Sequence, residues 1–144
     1  MRIRPATEAD QPTIRRMVKE AGVNPMALHW PNFLIAEEEE GATVGIGQVK
    51  PHNDGTHELA SMVVVPEHRG QGVGAAIIDR LIASHPGRVL HLTCRQQLRG
   101  YYERFGFRVI AREDYSPYFR RLIPIANFFA RFVNGRILVM RRDA

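Results

Sequence analysis

"PEHRGQGVGAAIID", residues 66–79, decides how this chain is read. Arg69 is followed by glycines at 70, 72 and 74, and Val73, Ile77, Ile78, Leu81 and Ile82 then recur at helical spacing. That spacing predicts an amphipathic helix from residue 72 to about 85. Glycine costs backbone entropy on folding, so three of them at a helix entrance call for a reason. The first N–H groups of a helix have no acceptor within it, and together with the helix dipole they form a site for an anion. Phosphate is the natural guest.

Two phosphate loops fail on inspection. A Walker loop ends in Gly-Lys-Ser/Thr, whereas Gly74 is followed by Ala75 and Ala76. A dinucleotide fingerprint is formally met by Gly70, Gly72 and Ala75, but its glycines follow a strand at once, and here "PEHR" intervenes. About twenty residues on, that fingerprint wants an acid for ribose, where this chain has Arg95. The strand ahead of the loop, "HELASMVVV", is reached from "ATVGIGQVKP" through "HNDG", whose Asp54-Gly55 is a hairpin signal. A βαβ unit forbids that connection.

Further upstream, "MRIRPA" reads as a strand, and Thr7 with Asp10 forms a capping box that opens a helix through about Ala21. Ile14, Met17 and Val18 give it an apolar stripe. "GVNPMALHWP" reads as a loop with one helical turn, and "NFLIAEEEEG" as a strand entering a solvated acidic turn at residues 37–40. Downstream, "RVLHLTC" is a strand and "QLRGYYERFG" a short helix stopped by Gly106. "FRVIARED" and "GRILVMRRD" read as two more strands, and residues 115–134 between them as a helix interrupted at Pro124. The order predicts an α+β domain, a mixed sheet with helices on it.

The chain has 144 residues, which fits a single domain over 1–144 with a real core. An apolar fraction of 44% argues against global disorder. No apolar run approaches the roughly 18 residues of a membrane span, and "MRIRPATEADQ" lacks the apolar stretch of a signal peptide. Cys94 is the single cysteine, so no internal disulfide forms and a cytoplasmic location fits best. The net charge of +5 raises the question of nucleic acid, but residues 115–144 carry all of it. Six arginines there face Asp143 as the lone acid, and the aromatics among them fall at helical spacing, as packed residues do.

"RGQGVG" resembles the Gln/Arg-x-x-Gly-x-Gly/Ala signature of the GNAT family of N-acetyltransferases, with Arg69, Gly72 and Gly74 in the signature places. "ELASMVVVPEHRGQGVGAAII" is similar to that family's fourth strand, turn and third helix, and "LRGYYERFGFRVI" to its "A-x-x-F-Y-E-K-x-G-F" segment. The likeness covers residues 1 to about 113 and the last strand. It implies a mixed, splayed sheet of six to seven strands flanked by helices, and acetyl transfer from acetyl-CoA, a co-substrate, to an amine by direct attack. No metal is implied. The backbone of Met62, Val63 and Val64 would pair with pantetheine. Arg69, Gly70, Gln71, Gly72, Val73, Gly74 and Ala75 would hold the pyrophosphate.

The same resemblance places an acid at Tyr102 and a base at Glu58. An ammonium cannot attack until a base takes its proton, and the departing thiolate gains from an acid. Tyr101, Phe105 and Phe107 are expected in the core. Glu58 has a plain alternative, an exposed carboxylate at a strand start. His57 is a rival base on the opposite strand face, and His91, in the adjacent strand, is a core histidine or a cleft residue. Cys94 would serve ping-pong chemistry, but direct attack needs no nucleophile and a buried packing role fits it better.

Two departures from the family pattern stand out. Arg95 occupies the place of a frequent asparagine, so that asparagine's cofactor role is not carried over, and Arg95 suits a CoA phosphate or an acidic substrate instead. The helical insertion at about 115–133 has no general counterpart. Its Tyr118, Phe119, Leu122, Phe128, Phe129 and Phe132, with Arg120, Arg121 and Arg131, suit a substrate lid, a homodimer contact, a membrane-surface helix or extra packing on the sheet. The expected partner is a small-molecule or peptide amine. A catalytically silent acyl-CoA sensor is the alternative, and a nucleic-acid or anionic-surface binder the more remote one.

Overall fold

The computed structural model describes residues 1–130 and 136–144. Arg131, Phe132 and the end of the 115–133 insertion lie outside the described residues. Among the described residues, seven strands and four helices follow the predicted order: β1 (Arg2–Pro5), α1 (Gln11–Ala21), β2 (Phe33–Glu37), β3 (Thr43–Pro51), β4 (His57–Val64), α2 (Val73–Ala83), β5 (Leu90–Arg95), α3 (Arg99–Glu103), β6 (Arg108–Val109), α4 (Pro117–Ala130) and β7 (Ile137–Arg142). The strands form a mixed sheet, and the chain resolves into two compact units.

The first unit holds Met1–Lys50 and Leu59–Pro86. Its strands lie in the order β1-β2-β3-β4. Ile14, Met17 and Val18 of α1 are buried against Phe33, Ile35 and Ile46, so the predicted stripe is the core face. The helix of residues 7–21 starts later than its capping signal suggests, because Glu8–Asp10 is a single 3-10 turn. Asp10 accepts from the Thr7 N–H at 2.7 Å and pairs with Arg4 at 2.8 Å. The Arg4 hydrogen bond, working against burial, holds the Asp10 carboxyl down at about 2.

The acidic run is not all solvated turn. Glu37 closes β2, is buried, and pairs with Arg2 and with Arg4 Nε at 3.1 Å. The antiparallel register sets Arg2 opposite Glu37, which brings the charges together. Glu38 pairs with His68 at 2.8 Å.

On β3, Gly45 and Gly47 allow α2 to approach. A Cβ at Gly45 would stand 2.9 Å from Val73 Cγ1, and one at Gly47 2.9 Å from Ile77 Cγ2. Contacts that short are sterically excluded, so the glycines are packing residues here.

The second unit holds Pro51–Glu58 and Gly87–Ala144. In it the start of β4 lies parallel to β5, with Glu58 opposite His91, and β7 pairs antiparallel with both β5 and β6. The strand expected over 107–114 is only Arg108–Val109, because Arg112–Asp114 turns as a 3-10 helix. Ile110 enters the core there with Phe119, Ile123 and Val139.

Pro124 does not interrupt α4, which runs from Pro117 to Ala130 with the proline inside. Arg120 and Pro124 are both exposed, so the carbonyl that loses its partner faces water, while Phe119 and Ile123 bury the opposite face. Extra packing on the sheet is therefore one role the insertion fills. Two side-chain hydrogen bonds fasten the helix, one from the turn at Asp54 and one from its own Asn127. Asp54 accepts from the Tyr118 N–H at 3.0 Å, and Asn127 from the Ile137 N–H at 2.8 Å. Among the described residues no helix is long and apolar enough to cross a membrane.

Candidate active site

The phosphate-loop candidates lie in the first unit. Gly70 and Gly72 have φ of +77° and +82°, the left-handed region that L side chains enter at a cost. Two of the three glycines are thus required by backbone conformation. Crowding is not the reason: no heavy atom lies within 4 Å of where a Cβ would stand at either position. Gly72 is the N-cap of α2 and makes no side-chain cap, so the N–H groups of Val73, Gly74 and Ala75 open the helix without one. Arg69 and Gln71 are exposed, and Arg69 Nε donates to the Val64 carbonyl at 3.2 Å.

Met62 and Val64 are half-buried and Val63 is buried. Just before them, Ser61 sits at φ +57°, a left-handed residue inside a strand. A non-glycine there costs of order 1–3 kcal/mol and persists only where its surroundings fix it. Gln48, fully buried, supplies that fixing: its Nε2 donates to Ser61 Oγ at 2.8 Å and to the Ala27 carbonyl at 3.2 Å. The break in the pleat falls directly before the three residues whose backbone is expected to meet pantetheine.

The proton-transfer candidates lie in the second unit. Tyr102 on α3 is half-buried, edge-to-face with Tyr101 at 5.1 Å and with Phe107 at 6.3 Å. Burial, with Tyr101 and Cys94 adding, pushes its phenol up to about 12. The hydroxyl is therefore a donor across the neutral range. Phe107 is buried as expected, and Tyr101 and Phe105 are half-buried.

Glu58 is not an exposed strand end. It is 5% exposed, and its Oε1 lies 2.8 Å from His52 Nε2. His52 in turn stacks on Tyr118 of α4, with ring centroids 3.6 Å apart and planes 20° from parallel. Burial, then Glu58 and Asp54, push the Tyr118 phenol upward, so it stays neutral. Asp54 goes the other way. Burial opposes its charge, but hydrogen bonds led by those of Thr56 hold it at about 2. A cavity of about 670 Å³ opens beside these groups, lined by His52, Asp54, Tyr118, Arg121, Leu122 and Ile125 with Asn53 and Pro117.

His52 was not singled out by the sequence. Its signal was the turn itself: Asp54-Gly55 folds the chain back so that the His52 N–H donates to the Thr56 carbonyl at 2.8 Å, which sets residue 52 beside Glu58. His57, on the other face, meets only the Gly55 carbonyl at 3.1 Å among the described residues. His91 is half-buried, 5.5 Å from Phe119, with a buried Nδ1 that has no partner among the described residues. Burial, then Arg141, lowers its pKa, so it is a neutral packed ring. Cys94 is buried 3.7 Å from Met140 Sδ, and burial pushes its thiol up to about 11, far from a reactive thiolate. Arg95 is exposed.

Comparison with known proteins bears on the same elements. A family model described as the acetyltransferase (GNAT) domain matches residues 29–109. No curated protein matches the sequence. Among solved structures, Rv2747 from Mycobacterium tuberculosis, in complex with CoA and a further ligand, superposes with a TM-score of 0.76 at 20% identity, covering 100% of this chain and 99% of that one. N-acetylglutamate synthase from Neisseria gonorrhoeae, with coenzyme A and N-acetyl-glutamate, gives 0.74 at 19% identity, over 99% of this chain and 34% of that one. A GNAT-family acetyltransferase from Staphylococcus aureus Mu50 gives 0.69 at 14% identity, over 99% and 98%. At these identities the likeness is one of fold.

Proposed function

Because this chain belongs to the GNAT family of acetyltransferases, we propose that it moves the acetyl group of acetyl-CoA to a primary amine of a small molecule or peptide by direct attack. The observation that carries the reading is the loop at 70–75: left-handed glycines, open space around them and uncapped N–H groups at the head of α2. A diphosphate suits that loop, since charge-assisted bonds from backbone amides are about twice as strong as neutral ones. Arg69 would add a cation at its edge.

In this reading the backbone of Met62, Val63 and Val64 aligns pantetheine, and the break at Ser61 frees those groups from regular pairing. Glu58, directly or through a neighbour, draws the proton from the acceptor's ammonium, and the free amine attacks the thioester carbonyl. The tetrahedral intermediate expels the thiolate, which takes a proton from Tyr102. The phenol is restored by the second proton of the nitrogen. The cavity beside His52 receives the acceptor; its apolar wall of Leu122 and Ile125, with Arg121 alongside, suits an amine carrying an apolar body and an anionic group. The similar N-acetylglutamate synthase crystallised with N-acetyl-glutamate favours an acceptor that carries an anionic group.

The test is release of free thiol from acetyl-CoA across a panel of amines, amino acids and peptides, with mass spectrometry of the product. One amine gaining an acetyl group, in step with thiol release, is the expected result. Tight acetyl-CoA binding with no turnover on any amine would favour the sensor alternative instead.

A further inference from the structure

We propose that His52, not Glu58, is the group that touches the acceptor amine and removes its proton, with Glu58 as the buried carboxylate that orients it. The inference rests on the acetyltransferase reading and names the group through which Glu58 acts. Three observations carry it. Glu58 does not line the cavity, whereas His52 does. The Glu58 side chain is 7% exposed and the His52 ring 13%, and the shared contact is 2.8 Å. The ring is held on its other side by Tyr118, stacked at 3.6 Å.

These contacts fix the tautomer. A carboxylate accepts only, so Nε2 carries the hydrogen that it donates to Glu58, and the lone pair is left on Nδ1. Nδ1 has no hydrogen-bond partner among the described residues. The proton of the ammonium passes to Nδ1, the amine keeps the electron pair and attacks, and the imidazolium is stabilised by the Glu58 carboxylate. The proton then leaves to solvent from the cavity side. This division of labour, a base oriented by a buried acid, is the logic of a catalytic triad's histidine and aspartate. The charged and titratable groups around the ring are Glu58 from β4, Tyr118 and Arg121 from α4, Asp54 from its own turn and, beside Glu58, His91 from β5.

His52→Gln tests it, because the glutamine amide still donates to Glu58 but takes no proton. We expect kcat to fall about 100-fold, the usual worth of a general base, with KM for acetyl-CoA unchanged and the rising acid limb of the pH–rate profile lost. Glu58→Gln should lower kcat less than His52→Gln does, with KM for acetyl-CoA unchanged. Imidazole ¹⁵N NMR gives a readout free of turnover. Wild-type His52 should be the Nε2–H tautomer, and Glu58→Gln should shift the tautomer balance toward Nδ1–H, because the carboxylate that holds the Nε2 hydrogen is gone. Thermal melting of both variants checks the fold.

Wild-type kcat in His52→Gln, a change confined to KM for the amine, or an Nδ1–H tautomer each overturns the proposal. A protein that acetylates no amine contradicts the acetyltransferase reading instead, and the tautomer and the shift in Glu58→Gln then decide the pair alone.

Discussion

Replacing Tyr102 with phenylalanine is expected to lower kcat about 100-fold while KM for acetyl-CoA stays within roughly twofold, the signature of an acid used in the transition state. Tyr102 is held edge-to-face between Tyr101 and Phe107, and phenylalanine keeps both contacts, so the variant folds. Burial raises the phenol to about 12, which has a sign. A raised pKa favours the protonated form, so the acid is loaded at every pH below that value. No falling limb from Tyr102 should appear below about pH 10, since its ionised fraction there is only on the order of a hundredth. Steady-state kinetics between pH 6 and 10 checks both parts. Unchanged kcat in Tyr102→Phe would remove the phenol from the mechanism.

The second large effect is expected at Gly72. Valine there meets no neighbour, since nothing lies within 4 Å of a Cβ. It does meet its own backbone, because φ of +82° is strained for a β-branched residue. The variant relieves that strain by turning the peptide, which re-aims the N–H groups at the head of α2. Losing one or two charge-assisted hydrogen bonds is worth about 2–3 kcal/mol, or roughly a hundredfold in Kd for CoA. Because the loop is exposed, the fall in Tm should be only a few degrees, of the order expected for 1–2 kcal/mol in a chain of this size. Calorimetry with CoA separates the two effects. A loss of fold with no specific loss of affinity would make the glycine merely structural.

How far the sequence could be read follows from which forces are local. The stripe Val73, Ile77, Ile78 and Leu81 is buried as its period requires, and the Asp54-Gly55 turn lies where its dipeptide puts it. These are short-range signals. Glu37 looked like part of a solvated turn because its partners, Arg2 and Arg4, are far away in sequence and reach it only through strand register. Pro124 looked like a break, since local sterics say so, but burial of Phe119 and Ile123 keeps the helix continuous. At the site, the glycine loop stood out from its residues, and Tyr102 and Glu58 were expected from the family resemblance; the structure adds the left-handed glycines at 70 and 72 and the burial of Glu58. The left-handed Ser61 was not legible, because a buried hydrogen bond from Gln48 sets it and no local preference does. The pairing of His52 with Glu58 was likewise hidden by an unremarkable histidine at the end of a strand.

The central claim is that bare backbone amides after Arg69 hold the diphosphate of coenzyme A. Isothermal titration of the unaltered protein with CoA, 3′-dephospho-CoA and pantetheine addresses it most directly. Two charge-assisted bonds to the diphosphate should make pantetheine at least about a hundredfold weaker than CoA, with 3′-dephospho-CoA within about tenfold. Pantetheine binding as tightly as CoA would contradict the account.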